Sequence, residues 1–216
     1  LPGDQVVVRL VDAVVMSKGF PLLSGVDLEI DRASLNVVTG ANGAGKTSLL
    51  RLLAGLDALT SGEGVVAGVN LRGGDLRLLR RRVGWLGHEG SFYADLSVRE
   101  NLEFAARSLE RPLEEVAPAL ERVGLDHRVD TTTKKLSAGQ RRRLGLAWLL
   151  VRRPELWLLD EPYASLDDAG RTFFDHLLGD VLAAGATVVV SAHDPLRSSD
   201  LAPRYLHMVG GRMRTP

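Results

Sequence analysis

The sequence predicts an α/β fold: a mostly parallel core sheet, an N-terminal antiparallel β part and an inserted helical subdomain. Three observations predict it. From residue 35 onward, short apolar runs alternate with helical stretches, the pattern of a parallel sheet with crossover helices. Residues 5–31 instead alternate apolar and polar, with a turn between two runs. Within the first of these regions, Arg107 to Asp130 reads as a helix-rich insertion, with a piece bracketed by Pro112 and Pro118. The expectation is a single domain over 1–216, with the helical subdomain at about 91–137.

Taken in order, Val6, Val8 and Leu10 form one strand face, and Val26, Leu28 and Ile30 another. Gly19 and Pro21 punctuate the turn, which predicts an antiparallel pair. Leu35 to Thr39 is an apolar strand. It runs into Gly40-Ala41-Asn42-Gly43-Ala44-Gly45-Lys46-Thr47, which fits G-x-x-x-x-G-K-[ST], the phosphate loop of nucleoside triphosphatases. A helix follows, with leucines at 49, 50, 52, 53 and 56 around Arg51. Gly62 and Gly64 mark a turn before a short strand with Val65, Val66 and Val69. Asp75 to Arg82 reads as a helix whose Arg80-Arg81-Arg82 end is solvated. Val83 to Gly87 is a buried strand followed by His88.

Ser97 and Glu100 have capping-box spacing, so a helix is expected from Val98 to about Arg107. Pro112 and Pro118 bracket a second helical piece. Thr131 to Lys135 is turn-like. An amphipathic helix spans Arg141 to Arg152, with Pro154 ending it. Leu156 to Leu159 is an apolar strand that ends in Asp160-Glu161. A helix from Asp168 to about Ala184, a strand at Thr187 to Val190 and a hairpin turning at Gly210-Gly211 complete the chain.

Ligand sites in such sheets gather at the carboxyl ends of strands. The phosphate loop, His88, Asp160-Glu161 and His193 all sit at such ends. Gly40, Ala41, Asn42, Gly43, Ala44, Gly45, Lys46, Thr47 and Ser48 are therefore the candidate phosphate contacts. Glycines let N–H groups converge on an anion, and Lys46 reaches the outer phosphates. Thr47 and Asp160 offer hard oxygens to Mg²⁺. Glu161 is placed to polarise an attacking water, and His193 to donate a hydrogen bond to the γ-phosphate. Ser137 and Gly139 open a helix, where an ordinary N-cap and a second phosphate contact are both open readings. Phe20, the one aromatic before the loop, either stacks on a base or packs.

Composition sets the limits. Acidic and basic residues number 27 each, so nothing favours a nucleic-acid surface. There is no cysteine, which removes disulfides, thiolate metal sites and thiol catalysis from consideration. No apolar run approaches the roughly 18 residues of a membrane span, and Leu1-Pro2-Gly3 has no export-signal character.

Phosphate loop, Leu136-Ser137-Ala138-Gly139-Gln140, Leu158-Leu159-Asp160-Glu161-Pro162, Ser165-Leu166-Asp167 and His193, in this order, resemble the ATP-binding subunit of ABC transporters over nearly the whole chain. The resemblance implies a phosphate-loop nucleotidase fold of the ABC ATPase type, ATP and Mg²⁺ as cofactors, and hydrolysis assisted by Lys46, Glu161 and His193. It implies a head-to-tail dimer with a second copy or a homologous subunit. Ser137, Gly139 and Gln140 would then serve the partner's nucleotide, with Asp167 beside the site. It further implies a polytopic membrane permease partner, a peripheral place on the cytoplasmic face of the inner membrane, and no nucleic acid.

Three positions depart from the family pattern. His88 stands where the pattern has a glutamine, facing the metal shell or γ-phosphate. The base-stacking aromatic aligns near Ser17, with Phe20 displaced. Ala138 replaces a glycine of the signature. With the compact length, Gly87-His88-Glu89 and the arginines after Gln140 resemble the heme-exporter branch, the ATP-binding subunits of cytochrome c biogenesis. The alternatives are another export system, a soluble non-transport ABC ATPase such as an iron–sulfur assembly factor, and a nucleotide-gated module without hydrolysis.

Overall fold

Strand β1 (Val6–Ser17) and strand β2 (Phe20–Asp31) pair antiparallel, with Val8 opposite Ile30 and Leu10 opposite Leu28. Alternation puts Val8, Leu10, Val26, Leu28 and Ile30 inside. This is a computed structural model, and it describes residues 5–87, 92–164, 166–193, 196 and 201–214. The chain divides into two compact units, Leu1–Trp85 with Glu155–Pro216, and Leu86–Pro154.

The first unit holds two sheets. Strands β4 (Ser61–Val66) and β5 (Val69–Asn70) extend the antiparallel pair into the order β2-β1-β4-β5. The larger sheet runs through β3 (Leu35–Thr39), β6 (Val83–Leu86), β7 (Leu156–Asp160), β8 (Thr187–Ser191), β9 (Arg204–Val209) and β10 (Arg212–Arg214). Its order is β10-β9-β3-β8-β7-β6. β3 is parallel to β8 and β9, and β7 to β8; only the hairpin strand β10 is antiparallel to its neighbour among these pairs.

Helix α1 (Lys46–Leu53) lies against strands of both sheets. Leu49, Leu50, Leu52 and Leu53 are fully buried. An isolated eight-residue helix is marginal in water. Burying a leucine side chain contributes roughly 2 kcal/mol, so packing sustains α1 and leaves its first turn free to serve as a binding edge. Leu56 is not part of the helix: the chain turns at Gly55, and both Leu56 and Asp57 donate backbone N–H to Arg51 O.

Helix α2 (Leu76–Arg82) starts where Asp75 accepts from the Arg77 and Leu78 N–H groups. Its basic end is not simply solvated. Arg80 donates to Gly55 O at 2.8 Å, and Arg82 donates to Ala67 O at 2.8 Å. Two other expectations shift. Pro21 lies within β2, an edge strand that tolerates the missing donor. Gly62 and Gly64 lie inside β4, where a Cβ at position 62 would collide with the Asp12 carbonyl; the turn is Ala67-Gly68. Helix α6 (Asp168–Ala183) begins after its N-cap Asp167 and leads through Gly185 to β8.

In the second unit, helix α3 (Val98–Ser108), helix α4 (Val116–Arg122) and helix α5 (Ala138–Arg152) bury Leu102, Ala105, Leu120, Leu144 and Ala147. The Ser97–Glu100 capping box is formed in full. Its backbone bond, then its hydroxyl, hold the Glu100 carboxyl below its ordinary range. Pro118 sits in the first turn of α4 rather than at its end, since no intrahelical donor is required there. α5 starts at Ala138, three residues before the expected Arg141, because Ser137 caps it. Among the described residues, no helix is long and apolar enough to cross a membrane.

Asn101 ties this unit together. It is fully buried, accepts from Tyr93 N at 2.9 Å and donates to Tyr93 O, Leu96 O and Ser97 O. Asn101→Leu would take away the acceptor of Tyr93 N and one donor from each of the three carbonyls, which keep other donors. It is expected to cost roughly 2–4 kcal/mol, read as a fall in the urea midpoint with little change in slope.

Candidate nucleotide site

The site grows from three strand ends that the register makes level. In the ladder Val38 stands opposite Ser191, and Ser191 opposite Asp160. β3 therefore delivers the loop at Gly40, β7 delivers Asp160, and β8 delivers Ser191 to one edge of the sheet.

Gly40 to Gly45 leads into α1, whose first turn has no side-chain cap. Its orphan N–H groups, with the positive end of the helix dipole, suit an anion. Lys46 is 5% exposed, and its ammonium donates to Gly40 O at 2.7 Å and Ala41 O at 3.2 Å. The lysine is thus folded back over its own loop, with its charge held inside the phosphate cradle.

The loop is supported from the C-terminal hairpin. Gly211 N donates to Ala44 O at 2.9 Å, and Gly211 O accepts from Ser24 N at 2.9 Å. Gly211 adopts φ +76°, and a Cβ there would stand 2.9 Å from Leu22 O. Only glycine fits that bridge between β2 and the loop.

Asp160 is 7% exposed. Its carboxylate accepts from Thr47 Oγ1 at 2.9 Å and from Ser191 Oγ at 2.6 Å. The Ser191 oxygen in turn accepts from Glu161 N at 2.9 Å. Glu161 itself has φ +48°, a conformation that costs a non-glycine residue roughly 1–3 kcal/mol and persists only when neighbours hold it. Its carboxylate meets His193 Nε2 at 2.9 Å. The structure therefore brings Lys46, Thr47, Asp160, Glu161 and His193 into one connected set within the first unit.

The donor set fits the implied metal. Thr47 and Asp160 are hard oxygen ligands in direct contact, and Mg²⁺ takes one or two such ligands with phosphate oxygens and water. Among the described residues there is no group of three or more histidine, cysteine and carboxylate side chains that would make a self-sufficient metal cage. His88 lies outside the described residues.

The other candidates are placed separately. Phe20 is 75% exposed at the start of β2, so it is not core packing. Asp167 caps α6, accepting from Gly170 N at 2.8 Å. Ser137, Gly139 and Gln140 lie in the second unit. Ser137 Oγ accepts from Gln140 N at 3.2 Å, and Gln140 Oε1 accepts from Ser137 N at 3.0 Å, so the ordinary N-cap is formed. The cap uses only a lone pair of the Ser137 hydroxyl, whose proton stays available to an acceptor. Around Gly139 the space where a side chain would project is open.

Residues 23–164 match the ABC transporter family. The chain belongs to that family. It is 40% identical over 193 residues to the cytochrome c biogenesis ATP-binding export protein CcmA of Nitrobacter winogradskyi, covering 89% of this chain and 92% of the relative. It is 44% identical over 176 residues to the protein of the same name from Bradyrhizobium diazoefficiens, covering 81% and 86%. The fold is that of solved ABC ATPases. It aligns with the ATP-binding subunit of an ABC transporter at a TM-score of 0.87 and 21% identity, over 97% of this chain and 88% of the other. It aligns with the dimeric, post-hydrolysis structure of an ATP-binding cassette bound to ADP and Pi at 0.86 and 24%, over 96% and 97%.

Sequence alone assigns Ser191 no role and Gly211 only a place in the hairpin turn. The signal for Ser191 was a hydroxyl at the end of an otherwise apolar run; its partner became visible only with the β7–β8 register. Ser191→Ala removes the shortest bond to a buried carboxylate and the acceptor of Glu161 N. The variant is expected to lose about 2 kcal/mol of stability and about tenfold in ATP hydrolysis, measured by urea unfolding and steady-state phosphate release.

Proposed function

We propose that this chain is the ATP-hydrolysing subunit of an exporter acting in cytochrome c biogenesis, with heme or a related maturation substrate as cargo. The carrying observation is the connected set Thr47–Asp160–Ser191–Glu161–His193 beside the phosphate loop, in a chain at least 40% identical to proteins named for that export.

In this reading the loop N–H groups and Lys46 hold the outer phosphates of ATP. Thr47 and Asp160 would hold Mg²⁺, which supplies neutralisation of phosphate charge when bound. Glu161 takes a proton from water as its oxygen attacks the γ-phosphorus. The bond to the bridging oxygen breaks, and ADP leaves with that electron pair. His193 orients Glu161 and donates to the γ-phosphoryl oxygens. The contact between His193 and Glu161 supports this division, because an imidazole N–H fixes the direction of the carboxylate.

The site is completed by a second copy or a homologous subunit, whose Ser137 to Gln140 would face this nucleotide. Two bound ATP molecules close the pair, and hydrolysis releases it. A membrane permease receives the motion, which places the chain peripherally on the cytoplasmic face of the inner membrane. Phe20 is an exposed candidate for contact with the base.

Glu161→Gln is expected to lower turnover at least a hundredfold while ATP binding persists, so that an ATP-bound dimer accumulates on size exclusion. Equal hydrolysis by the variant and the wild type would overturn the mechanism. Recovery of the complex from membranes identifies the permease, and heme-stimulated hydrolysis tests the cargo. His88→Gln is expected to keep ATP binding and at least part of the activity; abolished binding in a nucleotide-affinity assay would remove His88 from the proposed γ-phosphate and metal-shell role.

A further inference from the structure

His193 meets the Glu161 carboxylate, and a separate set of contacts holds the backbone that carries it. On its N-terminal side Glu161 is held by Ser191, through Glu161 N. On its C-terminal side the chain leaves β7 for α6. Ala164 N donates to Glu161 O at 3.1 Å, and Leu166 N donates to Tyr163 O at 3.3 Å. These turn bonds are local and do not by themselves fix the turn against the rest of the molecule.

Two side chains of α6 provide that anchorage. Arg171 Nε donates to Leu166 O at 3.2 Å. One helical turn on, Asp175 Oδ1 accepts from the Tyr163 hydroxyl at 2.5 Å. Residues four apart share a helix face, so Arg171 and Asp175 grip the same turn at two points. The Tyr163 ring also meets Phe174 edge-on, with centroids 4.8 Å apart and planes at 90°, and Phe174 is 2% exposed.

The ring contact explains an aromatic at 163. It does not explain a hydroxyl, since phenylalanine would pack as well. A half-buried hydroxyl costs free energy unless it is bonded, and this one makes a short, charge-assisted bond. Burial first, then the bond to Asp175 and its charge, push the Tyr163 phenol far above its ordinary range. The group therefore remains a donor throughout the neutral range.

We infer that Tyr163 and Asp175 form a positioning pair that fixes the backbone turn carrying Glu161, and with it the side chain that His193 meets. The inference rests on the reading of Glu161 as the group that activates water. Glu161 stands two residues from Tyr163 in a left-handed conformation that needs support from both sides. Ser191 supplies one support and the Tyr163–Asp175 bond the other. Neither Tyr163 nor Asp175 needs to touch ATP.

The test uses the full chain in the membrane complex in which it is recovered, with Mg-ATP turnover and thermal unfolding read side by side. Tyr163→Phe keeps the ring contact and removes the hydroxyl. It is expected to lower kcat about tenfold, with KM for ATP within about twofold and the complex still folded. Asp175→Leu should reproduce that loss. Asp175→Asn retains an oxygen acceptor and should return kcat to within about threefold of wild type. The double variant Tyr163→Phe/Asp175→Leu should lose no more than either single one, because both break one bond.

Wild-type kcat in Tyr163→Phe overturns the inference, as does a rise in KM with kcat unchanged. If Tyr163→Phe fails to fold, the Asp175 pair decides: equal losses in Asp175→Asn and Asp175→Leu also overturn it. Glu161→Gln run beside them separates the two readings. An active Glu161→Gln removes the mechanism itself. An inactive Glu161→Gln with a wild-type-like Tyr163→Phe removes only the positioning role.

Discussion

The structure around the nucleotide site depends on one buried carboxylate. Asp160 closes an apolar strand and is nearly inaccessible, so its charge demands hydrogen-bond partners. Thr47 and Ser191 supply them from two other elements, at 2.9 Å and 2.6 Å. Thr47 begins α1 and Ser191 ends β8, so satisfying Asp160 locks the loop–helix junction to the central strands. Each bond to a charged group contributes about 1.5–3 kcal/mol. The contacts that stabilise Asp160 are therefore the same ones that the proposed function would use.

Much of this was legible in the sequence because the informative patterns are local. The spacing of Gly40, Gly45, Lys46 and Thr47 defines a loop without reference to any other element. Four apolar residues ahead of Asp160 announce a buried strand, and Ser97 with Glu100 announces a helix start. What escaped depends on register or on distant partners. Ser191 matters because β7 and β8 align it with Asp160, 31 residues earlier in the chain. Gly211 matters because its hairpin meets Ala44 and Ser24 at once. Arg80 and Arg82 read as solvated ends, yet both found carbonyl acceptors on neighbouring segments. The misplaced glycines at 62 and 64 share this cause: glycine marks a turn or a close approach, and local sequence does not distinguish them.

Lys46 shows how the loop accommodates a buried cation. Its ammonium uses two carbonyls of its own loop, Gly40 O and Ala41 O. Those acceptors are neutral; in the proposed function a phosphate oxygen would be a stronger, charge-assisted partner. α1 itself is fixed by four buried leucines.

The second unit prepares its contribution in a similar way. Ser137 and Gln140 cap α5 reciprocally, so the start of the signature helix is defined without a ligand. The N-cap reading of Ser137 is thereby observed, and the phosphate contact belongs to the proposed function. The cap consumes an oxygen lone pair, while a phosphate requires the hydroxyl proton and backbone N–H groups. A preformed cap spares the binding step the entropy of ordering this turn. In the proposed function, the serine that starts the helix would meet a nucleotide of another subunit with its backbone already in place.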